Sequence, residues 1–289
     1  MALLIGVLIW ASLLQAAPLQ IRHAPGQSSA DQRYAYYWGL LQAALEANRA
    51  RYGDYILQEQ AAPMTAARAT AEVERSGLIN IIVRTADREL ERKLRPIRIP
   101  LDKGLTGYRL FLINEDNQPQ LDKVSNLAEL ARFEQGQDRS WVDVKILRAA
   151  GLPVVEGEGY DGLFQMLRAG RFTLFSRGVN EIASEFSAQQ GAFPKLAIER
   201  QLMLYYPLPR YFYVARDSQG EALAARIEDG LQRLRRSGEF DRRYLEYKKR
   251  ALGSLQLSGR RLFRIANPTL PTDTPMGAEW WDDLKAELK

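Results

Sequence analysis

The residues that could do chemistry narrow the choice of reaction at once. His23 is the only histidine and there is no cysteine, so a Ser-His-Asp triad or a multi-histidine metal centre would have to use that one side chain near the start of the chain. Disulfides, thiolate metal sites, a cysteine nucleophile and a lipid-modified cysteine are excluded. No Gly-x-Ser-x-Gly elbow and no Gly-x-x-x-x-Gly-Lys phosphate loop occurs. Carboxylates remain. Glu156, Glu158, Asp161 and Glu181 could supply an acid/base pair of the glycosidase or dehydratase kind, although residues 156–161 read more simply as a solvated acidic loop.

The other candidates are groups that hold a ligand without transforming it. Arg84, Thr85 and Arg88 close an apolar strand, and a guanidinium is a planar fork able to take a carboxylate through two hydrogen bonds. The alternative for Arg88 is a surface pair with Glu89 or Glu91. Gln137 and Ser140 precede a helix opening at Trp141, where unpaired backbone N–H groups attract anions, though Ser140 is as readily a cap and Trp141 as readily core packing. Arg177, Asn180 and Glu181 sit where a strand turns into a helix. An arginine in a binding cleft repels an ammonium and favours an anion, unless Glu181 takes the ammonium; equally, Arg177 and Glu181 could simply pair with each other. Among Tyr34, Tyr36, Tyr37 and Trp38, helical spacing spreads the rings over several faces, and Tyr37 is the one assigned to a ligand.

Elements that would position these groups follow from periodicity. Strands are expected at 19–22, 55–58 and 78–84, alternating with helices at 34–48 and 65–75, and residues 24–32 read as a loop. Such alternation argues for a mainly parallel sheet covered by helices. The run 97–114 carries extended pieces around Gly104 and Gly107, long enough to leave one compact unit and enter another. A second series follows: helices at 126–133, 141–149, 160–167 and 180–188, and strands at 152–155 and 171–175. Residues 202–214, broken by Pro207 and Pro209, are the return crossing. Beyond them, Leu223, Ile227, Leu231 and Leu234 form one stripe of an amphipathic stretch over 221–250 with Gly238 as a break. The proline-rich tail 267–275 is irregular, with Trp280 and Trp281 anchoring it to the core.

With 289 residues, 46% of them hydrophobic, the chain can bury two modest cores. Its 40 Lys+Arg are scattered among 35 Asp+Glu, the pattern of a solvated surface and not of a nucleic-acid binder. Residues 1–17, MALLIGVLIWASLLQAA, read as a cleaved secretory signal peptide, with an uncleaved anchor as the alternative; no later window reaches membrane-spanning length.

The order of elements, one lobe from both chain ends and another inserted between two crossings, resembles the periplasmic, or extracellular, solute-binding proteins of the polar-amino-acid ABC transporter type. Thr85-Ala86-Asp87-Arg88 looks like that family's Thr-x-x-Arg, Gly170-Arg171-Phe172 like its lead into a second-lobe strand, and Gly136-Gln137-Asp138-Arg139-Ser140 lies where it places a Gly-Thr-Thr turn. The stretches PIRIPLDKGL and LFQMLRAGRF are similar to those of a divergent subgroup. The resemblance implies an α/β, two-lobed type II periplasmic-binding-protein fold, each lobe a mainly parallel sheet flanked by helices. Its expected boundaries are 18–110 and 206–289 for the first lobe and 111–205 for the second. It gives Arg88 the carboxylate-clamp role, but the acidic residue that amino-acid binders carry near Arg177 or Gly178, and the Asp often found where Thr173 stands, are missing. The implied protein is a periplasmic monomer without cofactor and without catalysis. It closes on a small polar, anionic or amino-acid-like ligand, then docks on a membrane permease or a sensor domain; no nucleic acid is a partner.

Overall fold

The structure, a computed structural model, describes residues 17–25 and 33–289. Nearly all of the expected signal peptide, and most of the loop expected at 24–32, lie outside the described residues. The chain begins with β1 (Leu19–His23), α1 (Ala35–Ala47), α2 (Arg49–Tyr52), β2 (Tyr55–Glu59), α3 (Ala66–Glu74), β3 (Ile82–Thr85), α4 (Arg88–Lys93) and β4 (Arg95–Ile97). The middle supplies β5 (Tyr108–Asn114), α5 (Gln118–Leu121), α6 (Leu127–Leu130), β6 (Gln135–Asp138), α7 (Asp143–Ala149), β7 (Val154–Gly157) and α8 (Tyr160–Arg168). It continues through β8 (Phe175–Gly178), α9 (Ile182–Gln189), β9 (Leu196–Ile198) and β10 (Leu202–Tyr205). Then come β11 (Arg210–Val214), α10 (Ser218–Arg236), α11 (Glu239–Leu252) and β12 (Arg261–Arg264).

The two lobes are each α/β. In the first, β11 returns between β3 and β4, antiparallel to both, while β1 and β2 pair in parallel beside them. In the second, β5 is central: β8 pairs on one side, β10 and β9 on the other, all antiparallel, and β12 adds to β10 in parallel. The parallel ladder β6–β7 adjoins this sheet through a bridge from Gln135 to Leu174. Of the eight strand pairings among the described residues, three are parallel and five antiparallel, so the sheets are mixed and not mainly parallel as expected. Each antiparallel pairing involves β5 or β11, the strands by which the chain enters a lobe from a crossing.

Strand alternation assigns the cores. Phe212 and Val214 of β11 face Leu40, Leu41 and the stripe Leu223, Ile227, Leu231 and Leu234 of α10; Tyr211 and Tyr213 face Val73 and Leu90 on the other side. Likewise Leu110 and Leu112 of β5 join Leu163, Phe175 and Ile182, while Phe111 and Ile113 join Ile146, Leu147 and Leu204. The middle segment therefore has its own hydrophobic interior. Helix α10 starts on Asp217, whose carboxylate accepts from the Gly220 N–H at 2.7 Å, and ends on Arg233, Arg235 and Arg236, favourable ends for its dipole. It lies so close to α1 that a Cβ on Gly230 would stand 2.2 Å from the Ala44 carbonyl oxygen.

Two crossings join the lobes, residues 98–107 between β4 and β5 and residues 206–209 between β10 and β11. They abut: the Tyr206 N–H donates to the Gly107 carbonyl at 3.2 Å, and a Cβ on Gly107 would meet the Tyr206 carbonyl oxygen at 2.3 Å.

Several elements differ from the sequence-based expectation. The strand expected from residue 78 starts at Ile82, because Leu78 is exposed and Asn80 instead bonds both ways with Arg22 of β1. The strand expected at 171–175 runs over Phe175–Gly178, and the turn expected at 136–140 begins as strand β6. The tail visits both lobes instead of belonging to the first: β12 extends the second sheet and Leu284 enters its core, while Leu270 packs on the first. Between them the Asn267 side chain donates to the Pro207 carbonyl at 2.9 Å, so a third segment runs along the return crossing. Trp281 lies over Gly104 and Trp280 under Arg235.

Candidate functional site

Where the lobes meet, the carboxyl end of β3, the start of α1 and the return crossing face α7 and the end of β8 across a cavity of about 40 Å³. The first lobe and the return crossing contribute Arg33, Tyr34, Arg84, Thr85 and Arg210; the second contributes Arg109, Trp141, Asp143, Arg177 and Glu181. Strand ends supply Arg84, Thr85, Arg109, Arg177 and Arg210, which fixes the guanidiniums on a rigid frame.

The walls are charged and largely buried. Arg177, 1% exposed, holds Glu185 through two bonds of 2.7 Å and Glu181 at 3.2 Å. Arg210 reaches across from the first lobe to the same Glu181 at 2.5 Å. Arg109 meets Asp143 at 3.1 Å, and Asp143 also accepts from the Tyr206 hydroxyl at 2.5 Å. Burial alone would raise the Glu181 carboxyl, but Arg177, then Arg210, Arg33 and Arg109 outweigh it and hold the group far below the ordinary carboxylate range. Burial lowers the Arg84 guanidinium, which has no carboxylate against it; it donates to the Ala66 carbonyl at 2.8 Å, the Thr70 hydroxyl at 3.2 Å and the Ser140 carbonyl at 3.5 Å. The Nε of Arg109 and of Arg210 are buried without acceptors. Cationic donors in excess and acceptors already engaged suit an anionic or oxygen-rich guest. Among the described residues, no group of three or more His, Asp or Glu is arranged to hold a metal ion.

Of the sequence-based candidates, Arg84, Thr85, Trp141, Arg177 and Glu181 line this cavity. Arg88 does not: it opens α4 behind the Asp87 cap, exposed, and its side chain donates to the Pro268 carbonyl of the tail. Gln137 lies behind the wall, bonded to the Ser176 hydroxyl at 2.8 Å, and Ser140 turns its hydroxyl to Asp138 at 2.5 Å. Tyr37 and Asn180 meet at the hinge instead. The Tyr37 hydroxyl donates to Asp102 at 3.0 Å, and the Asn180 amide donates to the Tyr247 and Thr106 hydroxyls at 2.7 and 3.0 Å. Burial raises the Asp102 carboxyl against the pull of Arg210. The carboxylates Glu156, Glu158 and Asp161 are on the surface, the first two paired with Arg148 and Arg139, away from the cavity.

Arg33, Arg109, Asp143 and Arg210 were not singled out from sequence. For Arg109 and Arg210 a signal exists: each is a lone charge inside an apolar run of a crossing, and a crossing forms the floor between two lobes. Arg33 enters the second lobe, its guanidinium 4.6 Å from the Tyr160 ring centre and 4.0 Å from Glu185.

No protein-family model matches the sequence, and no match is found among curated proteins. The fold, by contrast, is widely shared. An ancestral arginine-binding protein bound to arginine superposes with a TM-score of 0.57 at 15% identity, over 81% of this chain and 99% of that one. A histidine kinase sensor domain with similarity to periplasmic binding proteins gives 0.56 at 15% identity, over 81% and 96%. An ancestral amino acid-binding protein, a precursor of cyclohexadienyl dehydratase, gives 0.55 at 14% identity, over 80% and 95%. The chain has the two-lobed fold of periplasmic binding proteins.

Proposed function

We propose that the protein is a solute-binding protein that closes its two lobes on a small anionic ligand, at Arg84, Arg109, Arg177 and Arg210. The observation that carries this reading is the convergence of both lobes on one cleft in which these four arginines face three carboxylates, Asp143, Glu181 and Glu185. Arg84 is the one of the four that none of these three carboxylates pairs with, and a bound anion would meet it there. A zwitterionic α-amino acid fits less well, because Glu181, the carboxylate that could receive its ammonium, is already shared by Arg177 and Arg210.

Ligand bridging the lobes favours the closed state over the open one by its contacts to both, the hinge being the abutting crossings. The closed form is then read by a membrane permease or by a sensor domain; solved proteins of this fold include amino-acid transporter components and a kinase sensor domain. Export to the periplasm, with residues 1–17 as its signal, belongs to the same reading. So do a single-chain working state, and a first lobe running from residue 18 into the outgoing crossing and joined by most of 206–289, with the second lobe, which includes β5, inserted between. Catalysis is not part of it: Glu156, Glu158 and Asp161 are on the surface, and Glu181, the candidate that does line the cleft, is held by Arg177 and Arg210.

A thermal-shift screen of amino acids, dicarboxylates, other organic acids, phosphorylated compounds and sugars tests this. Stabilisation by anions, lost in Arg84→Ala and unaccompanied by product, is the expected result. Stabilisation by neutral sugars alone, or conversion of a ligand into product, overturns it.

A further inference from the structure

A second cavity of about 40 Å³ opens beside the charged cleft, and Tyr34, Ala66, Val83 and Arg84 line both. Its remaining walls are apolar: Trp38, Met64, Ala69 and Ile82, with Ala24 at the edge. Trp38 brings one polar atom, an indole N–H buried without an acceptor. Among the described residues, no carboxylate stands in these walls to receive an ammonium.

Arg84 stands at the junction, and its position is unlike that of its three neighbours. Arg109, Arg177 and Arg210 each hold a carboxylate of the protein, whereas Arg84 is bonded only to two carbonyls and a hydroxyl. A half-buried guanidinium to which no carboxylate among the described residues is bonded, next to an apolar chamber, fits a guest that is charged at one end and greasy at the other.

We infer that the solute is an organic carboxylate with a compact branched apolar group and no ammonium. Its carboxylate lies on Arg84 and its apolar group fills the chamber walled by Trp38, Met64, Ala69 and Ile82. This rests on the reading of the cleft as an anion site and narrows it. The chamber has room for a few carbon atoms, so a branched alkyl group fits and a long chain does not.

Titration calorimetry of the full chain with 4-methylpentanoate, acetate and leucine tests the inference. Leucine is 4-methylpentanoate with an ammonium added, and acetate is its head group alone. The branched acid is expected to bind at least tenfold more tightly than either, since several buried apolar carbons separate it from acetate and an uncompensated buried charge separates it from leucine. Ala69→Leu, which fills the chamber, is expected to abolish the advantage over acetate while leaving acetate binding within threefold; Met64→Phe serves if Ala69→Leu does not fold. Arg84→Gln is expected to weaken both acids by tenfold or more. Acetate or leucine binding as tightly as the branched acid, or an advantage that survives the filled chamber, overturns the inference and leaves the anion reading in place. Binding of neither acid also overturns it, and the charge of whatever solute emerges from the wider screen then decides the anion reading separately.

Discussion

The guanidinium of Arg177 is the best-satisfied group in the cleft, with two carboxylates on its donors and the Trp141 ring 4.8 Å from its centre. Arg177→Met is expected to strand Glu185 and Glu181 in a buried site, at a cost of about 3–5 kcal/mol in urea unfolding. The pH dependence follows from Glu181. Its folded value lies well below the unfolded one, so its contribution is present above about pH 4.3 and is lost as pH falls through the folded value. Acid titration of stability is expected to show this loss below about pH 5, and Glu181→Gln to lower stability at neutral pH and flatten the acid limb. Asp102, raised by burial, works in the opposite direction: it favours the folded state more as it takes up a proton. At this scale the sequence disclosed residue types but not partners. Arg177 and Glu181, four apart, could be paired on paper, whereas Arg210 with Glu181 is a contact that only the apposed lobes create, and Arg109 with Asp143 one that only the folded second lobe creates.

Helices were more legible than strand ends. The stripe Leu223, Ile227, Leu231 and Leu234 fixes the buried face of α10 whatever its neighbours, and Gly238, at φ +78°, ends it where the pattern breaks. The run from Leu78 to Val83, apolar except for Asn80, has no alternation to mark its start, and Phe172 is buried without being in a strand, which is why β3 and β8 begin later than expected. Arg88 was misplaced for the same kind of reason: the Asp87 side chain accepts from the Leu90 N–H at 3.3 Å and starts a helix there, turning the next side chain outward. The contact of α1 with α10 gives a test at this scale. Gly230→Ala adds helix propensity worth about 1 kcal/mol, but its methyl group meets a backbone oxygen that cannot swing aside. Overpacking is expected to win, with a net loss of about 1–3 kcal/mol and a lower melting temperature.

For the whole molecule, the two-lobed plan was legible because both crossings carry their own marks, glycines in one and prolines in the other. The route of the tail was not, since an irregular, proline-rich segment has no period to betray what it packs against. Closure brings Lys145 of α7 to 2.7 Å from Glu89 of α4, an exposed pair at the cleft rim. Such a pair is worth about 0–1 kcal/mol. Lys145→Ala is accordingly expected to shift the open–closed balance by less than tenfold, and high salt to do the same. Spin labels on Lys93→Cys and Glu158→Cys, one on each lobe of a chain without native cysteine, would report it as a change in the distance distribution.

Strand β12 completes the second sheet along the free side of β10, with Arg261 and Arg264 at its exposed ends. Residues 261–264 must therefore be in place before that sheet has its rim. Until then β10 offers a bare row of amide and carbonyl groups to any passing strand. A chain cut short ahead of Arg261 is expected to accumulate as aggregates instead of a smaller soluble product, a difference that fractionation of expressed truncations would display.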